Sequence, residues 1–573
     1  MASSPDPHLG PSRGLTRGLT RRRFLTRSSL AVTGGMILPA FDAAYAARRA
    51  SQVIALPARS SRALASFVRP IADPAHLRTL ATTAIEAAMK AGADWADIRI
   101  SDRRTFAWEG WNNLHLTYGF GVRVRVRGAD AFVGGGDPTR EHVIRAAQSA
   151  VDTARAIAHS PAWAHRSTPM LSPVPIVTGE WRAPIQIDPF SVSIDDHMDV
   201  MDSLAGIDDV QLSAMDVAKG FSCDWYGETR VFAASDGSLL TQFLGGVDVR
   251  EHAIGRGDRW RFQAGETLRL SFPGWGSATR GFEMTTHLLR YDELQAAGNE
   301  LVRYGNLPSG RIDVGRYNVV LDGSAHATLL SQAVLPALSA RRALGYDADV
   351  DGTSPLAPMA AVLGQRLFSP LLTLVVDRRV PAFGAVGWDD DGVAPIPGPL
   401  ISHGTVVNYL GTRITHPFIV AAAQAQGHTQ GHPPPLLGIA YAPDVTRRPT
   451  ELTPSAAMSP TTEPCTLAML AKQIGTGLLV RSASVYMDTQ GTGGVIIPKM
   501  MLEVKGGEVI RRVFGSCMQF NTKKLMASLT AVGDQSTIDE QTQVARIGFP
   551  QSTISNSMTA PAAFYRNVDV VKI

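Results

Sequence analysis

A run of six residues with strict alternation constrains this chain most, because only one kind of secondary structure satisfies it. Valine and arginine alternate without interruption in residues 122–127. Successive side chains of a β-strand point to opposite faces, so the valines share one face and the arginines share the other. We expect an extended stretch from Tyr118 to Phe132 within a sheet. Its arginine row is expected on a solvated face, with an anion site as the alternative.

Two helices with similar start signals flank this stretch. Asp73-Pro74 combines an N-cap residue with a proline in the first turn, and apolar residues recur at helical spacing over residues 77–89. A strand is predicted over residues 96–101. Asp137-Pro138 repeats the signal for a second helix that runs to about residue 159. This mixture of helices and strands predicts an α/β region.

The second half of the chain is dominated by short strands and turns. A strand over residues 317–322 precedes a helix-like apolar run over residues 325–344. Residues 425–460 are rich in Pro, Gly and His and predict a long loop. Further strands are predicted over residues 494–497 and 501–504. This half is therefore expected to be β-rich.

The length of 573 residues exceeds what one hydrophobic core usually supports, so two domains are expected. We predict an α+β fold with an N-terminal α/β domain and a β-rich C-terminal domain. The predicted divisions are a leader (1–46), a linker (47–72), an N-terminal and central region (73–310) and a C-terminal region (311–573).

The leader has the features of an export signal. Residues 20–25, TRRRFL, match the twin-arginine pattern (S/T)-R-R-x-F-L, and Ala44-Tyr45-Ala46 offers a cleavage site. The apolar stretch between them, residues 30–41, is shorter than the roughly 20 residues that span a bilayer. We expect a periplasmic protein with no integral membrane segment; a disordered basic tail is the alternative.

Charge and cysteine content exclude several function classes. The leader's six arginines and two aspartates account for the whole formal charge of +4. The remaining chain is near neutral, which argues against nucleic-acid binding. Cys223, Cys465 and Cys517 allow at most one disulfide and form no CxxC pair. Residues 389–392, three aspartates and a glycine, are typical of a turn, because the remaining ligand spacing of a calcium loop is missing.

Five phrases of the chain occur in a characteristic order. They are residues 91–97 (AGADWAD), 119–124 (GFGVRV), 317–322 (YNVVLD), 387–393 (GWDDDGV) and 404–410 (GTVVNYL). Together they resemble the TldD/PmbA family of metallopeptidase-related proteins over most of residues 75–545. The resemblance implies a two-domain TldD/PmbA-like fold.

The resemblance also implies a metal-binding helix, but its ligand positions hold other residues. Active members carry H-E-x-x-x-H, in which two imidazoles bind zinc and the Glu acts as general base, with a Cys near the C-terminus as a further ligand. Ser331 stands at the first His position, Gln332 at the Glu position and Pro336 at the second His position. Residues 538–548, where the Cys would fall, contain none, and Cys517 lies too early. We therefore predict no catalytic residue, no metal and no cofactor in this chain.

Histidines elsewhere are the candidates for a substrate cavity: His326, His403, His428 and His432. The last two lie in the predicted loop, which resembles a segment that borders the substrate cavity in the family. Their four-residue spacing would suit one metal on a helix, but the surrounding glycines and prolines disfavour a helix. Two nearby histidines in a loop are usually solvated or hydrogen-bonded. Contact with peptide is the functional alternative, and a metal held by the loop histidines is a further one.

The family works as a pair of related subunits that enclose a cavity for unfolded peptides, one with the metal and one without. The resemblance implies that this chain is the non-catalytic, PmbA-like subunit. Its partner would be a metal-bearing TldD-like paralogue, or a second copy in a homodimeric shell. The alternatives are an active metallopeptidase with a non-standard metal site and a structural or assembly protein of the envelope.

Overall fold

The computed structural model describes residues 51–573 except for 109–111, 162, 164–169, 207–216, 256–268, 272–278, 288–298, 301, 350, 380–381, 426–432, 453 and 548–551. The predicted leader lies outside the described residues. No helix of the described part combines the length and the apolar character needed to cross a bilayer.

An eight-stranded sheet, called here the N-terminal sheet, organises the first half, with strand order β1-β3-β2-β6-β7-β5, β4 beside β3 and β8 beside β7. Its strands are β1 (Ser51–Ala55), β2 (Trp95–Trp108), β3 (Asn112–Val126), β4 (Ala129–Gly136), β5 (Thr178–Arg182), β6 (Val217–Ala234), β7 (Leu239–Gly255) and β8 (Arg269–Ser271). The helices of this half are α1 (Pro74–Lys90), α2 (Arg140–Ala158) and α3 (Ile194–Gly206).

The two predicted helices of this half are present, but only the first begins as expected. Asp73 caps α1 by accepting a hydrogen bond from the backbone N of Ala75 at 3.1 Å. The predicted cap of α2, Asp137, instead has φ of 53° at the end of β4. Thr139 caps α2 through the backbone N of His142 at 3.3 Å. The same dipeptide signal therefore starts a helix directly in one place and ends a strand in the other.

The stretch predicted over residues 118–132 forms two strands. Arg127 and Gly128, with φ of 49° and 78°, turn the chain between β3 and β4. The valines of β3 pack with α1 and α2, as their alternation requires. The solvated arginine face is wrong: Arg123 and Arg125 are 1% and 8% exposed. Asp97 and Asp391 pair with Arg123, and Asp130 pairs with Arg125, whereas Arg127 in the following turn is exposed.

The second half contains an eight-stranded sheet (β17-β10-β24-β20-β18-β19-β9, with β21 beside β24), a six-stranded sheet (β13-β12-β11-β16-β23-β22) and the pair β14-β15. Its strands are β9 (Ser309–Gly310), β10 (Gly315–Leu321), β11 (Leu374–Val376), β12 (Gly398–Ser402), β13 (Thr405–Val406), β14 (Ala440–Tyr441), β15 (Thr450–Glu451), β16 (Ala456–Met458), β17 (Thr476–Met487), β18 (Gly493–Lys505), β19 (Glu508–Val513), β20 (Ser516–Asn521), β21 (Leu529–Val532), β22 (Asp539–Ile547), β23 (Ser552–Ala560) and β24 (Ala563–Lys572). Its helices are α4 (Gly323–Leu329), α5 (Ala340–Ala343), α6 (Met359–Val362), α7 (His416–Ala425), α8 (Leu467–Ile474) and α9 (Thr522–Ala527).

Several predicted elements of this half have different limits. Residues 494–497 and 501–504 belong to one strand, β18, which pairs antiparallel with β17. The loop predicted over residues 425–460 contains β14, β15 and β16. The apolar run predicted over residues 325–344 is helical in pieces, for a reason given below. The α+β class itself is confirmed.

An apolar cluster joins the two halves. Phe106 and Trp225 of the N-terminal sheet pack in one cluster with Val320 and Phe564 of the eight-stranded C-terminal sheet. Leu64, from the segment predicted as a linker, is fully buried in the same cluster. The three cysteines are buried and free. Burial of apolar surface between the first and second halves of the chain therefore stabilises the fold.

Candidate functional site

The segment that follows β10 contains the three positions expected to hold zinc ligands. Ser331 is 3% exposed and lies in a π-helical turn, Leu330–Val334, which follows α4 directly. Pro336 begins a 3-10 turn, Pro336–Leu338. Proline has no backbone N–H and its ring disfavours a continuing α-helix. The helix therefore breaks where the second histidine of an active member would stand.

The buried carboxylate of Asp322 stabilises the start of α4. Asp322 accepts hydrogen bonds from the backbone N of Ala325 at 2.8 Å and of Ser482 at 3.1 Å, and its Oδ2 lies 2.9 Å from Arg481 Nε. Burial, together with the nearby charge of Asp322, raises the pKa of Asp539 to about 8. Asp539 is thus protonated at neutral pH, which lets two carboxyl groups share this end of the helix.

His326 on α4 lies in the core. Its Nδ1 donates to the carbonyl of Pro561 at 2.7 Å, and its Nε2 accepts from the hydroxyl of Tyr565 at 2.9 Å. The side chain is fully buried, and burial lowers the pKa of the imidazole to about 4. With both ring nitrogens in use, His326 is a structural residue, and the prediction that it lines a substrate cavity is not supported by its position.

The other candidate histidines have different surroundings. His403 is exposed in the turn between β12 and β13, where its backbone N donates to Thr373 Oγ1 at 3.1 Å. His428 and His432 lie outside the described residues. The described candidates, His326 and His403, thus occupy the core and the surface respectively and do not form one site.

A second buried carboxyl group, Glu451, joins the segment after Pro336 to α7. It accepts hydrogen bonds from Ser339 Oγ at 2.6 Å, Thr415 Oγ1 at 2.7 Å and the backbone N of Arg341 at 3.1 Å. Burial raises the pKa of Glu451 to about 7. The sequence contained no signal for this contact, because its donors come from segments far apart in the chain.

The three aspartates of residues 389–391 form a turn, as predicted, but a buried one. Asp389 accepts the backbone N–H groups of Val393 and Ala440, both at 2.9 Å. Burial and the neighbouring Asp391 raise the pKa of Asp389 to about 8. The carboxylate oxygens of this turn are used by protein donors, and this is not the arrangement of a calcium loop.

Arginines of the N-terminal sheet insert into this turn. Arg123 Nη2 lies 2.6 Å from Asp391 Oδ1, and its Nε lies 3.1 Å from Asp97 Oδ2. Arg230 Nη1 lies 2.7 Å from Asp390 Oδ1. We call these residues the interdomain charge network. Both neighbouring aspartates keep Arg123 charged despite burial, since their charges raise its pKa.

Gly121, in the phrase GFGVRV, shows how closely the two halves approach. A Cβ atom at this position would lie 2.2 Å from the carbonyl oxygen of Val445, on the segment after β14. Only glycine fits such a backbone approach. Together with the interdomain charge network, this contact explains why two of the phrases noted in the sequence face each other in the fold.

Comparison with known families supplies the identification. Residues 314–571 match a family model described as the PmbA/TldA metallopeptidase C-terminal domain. The matched region starts just before β10 and includes α4, the π-helical turn and the turn of three aspartates. The second half of the chain is thus similar to the C-terminal domain of the TldD/PmbA family. No curated protein sequence matches it.

Solved structures of TldD/PmbA type share the fold of this chain. A protein of Bacteroides thetaiotaomicron, described as a candidate modulator of DNA gyrase, superposes with a TM-score of 0.60 at 16% identity, over 87% of this chain and 99% of its own. A similarly described protein of Thermotoga maritima gives 0.61 at 14% identity, over 86% and 100%. TldE from Thermococcus kodakarensis gives 0.60 at 15% identity, over 85% and 98%.

The residues present do not fit the zinc ion of active TldD/PmbA members. Ser331 offers a buried neutral hydroxyl, Gln332 an amide, and Pro336 no donor atom. Cys517 lies on β20, opposite Val571 of β24. Among the described residues no group of three or more His, Cys, Asp or Glu side chains is placed to hold a metal ion. Ser331, Gln332 and Pro336 therefore offer none of the side-chain types that bind zinc in active relatives.

Proposed function

We propose that this chain is the non-catalytic, PmbA-like subunit of an exported peptide-binding complex of the TldD/PmbA family. The observation that carries the proposal is the broken helix at Ser331 to Pro336, which lacks ligands while its surroundings remain well packed. His326, Asp322 and Glu451 are all engaged in buried hydrogen bonds around it. A packed fold without zinc ligands is suited to pairing with a partner subunit and to binding peptide, rather than to metal-dependent hydrolysis.

Strand β22 offers a place for an extended peptide. It is the last strand of the described six-stranded sheet, with β23 as its described neighbour. An edge strand presents backbone N–H and C=O groups that a peptide can pair with, independently of the peptide's sequence. This strand coincides with residues 538–548, the stretch where an active member would place its ligand cysteine.

The experiment uses the full chain, produced with its leader, alone and together with a TldD-like relative that carries H-E-x-x-x-H. The chain is expected in the periplasmic fraction, free of stoichiometric zinc by elemental analysis, and unable to cleave unfolded casein. With the relative it should form a stable heterodimer that cleaves casein in a chelator-sensitive way.

A matched control replaces the motif Glu of the relative with Gln, which should abolish cleavage and leave the heterodimer intact. The proposal is wrong if the chain alone binds zinc stoichiometrically and cleaves casein. It is equally wrong if the chain neither associates with the relative nor, as a homodimer, retains unfolded casein.

A further inference from the structure

A cavity of about 180 Å³ lies between the two halves of the chain, away from the broken helix. Strands β2, β6 and β7 line it from the N-terminal sheet, and the segments after β11 and β14 line it from the second half. A cavity of about 150 Å³ is large enough for a benzene-sized molecule. The volume therefore suits one small molecule or one terminal residue of a longer one.

Arg378 presents a buried cation to this cavity. The side chain is 3% exposed, and its Nη atoms lie 3.3 Å from the carbonyl oxygens of Gly438 and Gly384. Its Nε has no hydrogen-bond partner among the described residues. Burial lowers the pKa of Arg378, and the nearby Asp389 and Asp390 counteract this only in part. A buried guanidinium in this state gains most from an anion placed in the cavity.

Arg103 supplies a second guanidinium, which lies over the ring of Tyr226 at 4.5 Å from the ring centre. Its Nη1 lies 3.5 Å from the hydroxyl of Tyr441 and 3.7 Å from Glu228 Oε2, and about a quarter of the side chain (26%) is exposed. The guanidinium of Arg378 lies 5.4 Å from the ring centre of the same Tyr441. The two arginines therefore flank one tyrosine at the cavity wall, and Arg103 connects the cavity with solvent.

Two carboxylates line the same cavity. Asp224 of β6 and Asp248 of β7 stand directly opposite each other in the antiparallel register. A carboxylate can accept several hydrogen bonds at once, so an ammonium group can be bound in addition to partners that are already present. Guanidinium and carboxylate groups in one small cavity favour a ligand that carries both charges.

We propose that this cavity binds an amino-acid-sized zwitterion, with its carboxylate held by Arg378 and Arg103 and its ammonium group near Asp224 and Asp248. The ligand is either a free amino acid or the end of a short peptide. The site lies apart from the degenerate zinc positions, and it does not depend on the proposed pairing with a metal-bearing subunit.

The test is calorimetric titration of the full chain with L-alanine, the dipeptide Ala-Ala and Ala-Ala amide. Alanine or Ala-Ala should bind, and the amide should bind at least about ten-fold more weakly than Ala-Ala, because it lacks the carboxylate. Tighter binding of Ala-Ala identifies the ligand as a peptide end, and tighter binding of alanine identifies it as a free amino acid.

Arg378→Gln and Arg103→Gln should each weaken binding by about ten-fold or more. The control is Arg379→Gln, at an exposed arginine that pairs with Asp377 outside the cavity, and its affinity should equal that of the wild type. If circular dichroism shows that Arg378→Gln does not fold, the affinity of Arg103→Gln, at a partly exposed residue, provides the test. The proposal fails if neither alanine nor Ala-Ala binds at millimolar concentration, if the amide binds as tightly as Ala-Ala, or if Arg103→Gln leaves the affinity unchanged.

Discussion

Buried charged side chains connect the two halves of the chain. Asp391 lies at the centre of this contact, bound to Arg123 Nη2 at 2.6 Å and to the backbone N of Arg413 at 2.9 Å. Both side chains of the Arg123–Asp391 pair are almost fully buried. In such surroundings a charge is stable only while its partner is present.

Asp391→Asn should therefore destabilise the chain by about 1–3 kcal/mol, because Arg123 loses one of its two carboxylates and keeps Asp97. Urea unfolding followed by circular dichroism measures the change in the free energy of unfolding. The control is Glu180→Gln, which breaks an exposed pair with Arg182 and should cost less than about 1 kcal/mol. Equal, small effects of the two substitutions would show that the buried pair does not stabilise the interface.

At the scale of elements, two helices begin with an aspartate cap in different surroundings. Asp73 caps α1 through one backbone N–H, whereas Asp322 caps α4, binds Ser482 and pairs with Arg481. Asp73→Ala should cost about 1 kcal/mol, the usual value of a cap. Asp322→Ala should cost clearly more, about 3 kcal/mol, because it also leaves Arg481 without one of its carboxylates.

Thermal and urea unfolding of the two variants provide the measurement. Asp322→Asn is a useful third variant, because it keeps a cap acceptor and removes only the charge, so its cost should lie between the other two. If Asp322→Ala costs no more than Asp73→Ala, the start of α4 depends on its cap alone.

The helices and strands could be predicted because they depend on local sequence patterns. Contacts between residues far apart in the chain could not be predicted. The cap at Asp73 and the valine alternation depend on residues close in sequence, and the structure has both. The burial of Arg123 depends on Asp391, which lies 268 positions away. Alternation alone cannot distinguish a solvated arginine face from one covered by carboxylates, so the interdomain charge network and the cavity at Arg378 could not be predicted.

For the whole molecule, three buried carboxyl groups make stability depend on pH. The pKa values of Asp389 and Asp539 are raised to about 8, and that of Glu451 to about 7. Between its ordinary and its raised pKa, each folded carboxyl keeps a proton that the unfolded carboxyl has lost. Its contribution is fully present below the ordinary pKa and is lost as the pH rises through the raised value.

Two buried histidines act in the opposite direction at lower pH. Burial lowers the pKa of His197 and of His326 to about 4, so their contribution to stability is lost as the pH falls from about 6.5 towards 4. Of these five groups, only the carboxyl groups titrate above pH 6.5. Stability should therefore fall between about pH 6.5 and 8, by on the order of 1 kcal/mol per pH unit for each carboxyl until the pH passes the raised pKa of that carboxyl.

Unfolding in urea at several pH values across this range measures the slope, and Asp539→Asn should make it shallower, because the amide does not titrate. A slope that is flat or rises with pH would contradict the raised pKa values. The matched control Asp569→Asn changes an exposed carboxylate on β24 and should leave the slope as it is.

The interdomain charge network also limits how this protein can be divided. A cut near residue 310 would leave Arg123 and Arg230 on one fragment and Asp390 and Asp391 on the other. Each piece would expose apolar surface together with charged groups that have lost one of their counterions. Joining the second half to a different N-terminal domain would therefore require guanidinium groups at the positions of Arg123 and Arg230.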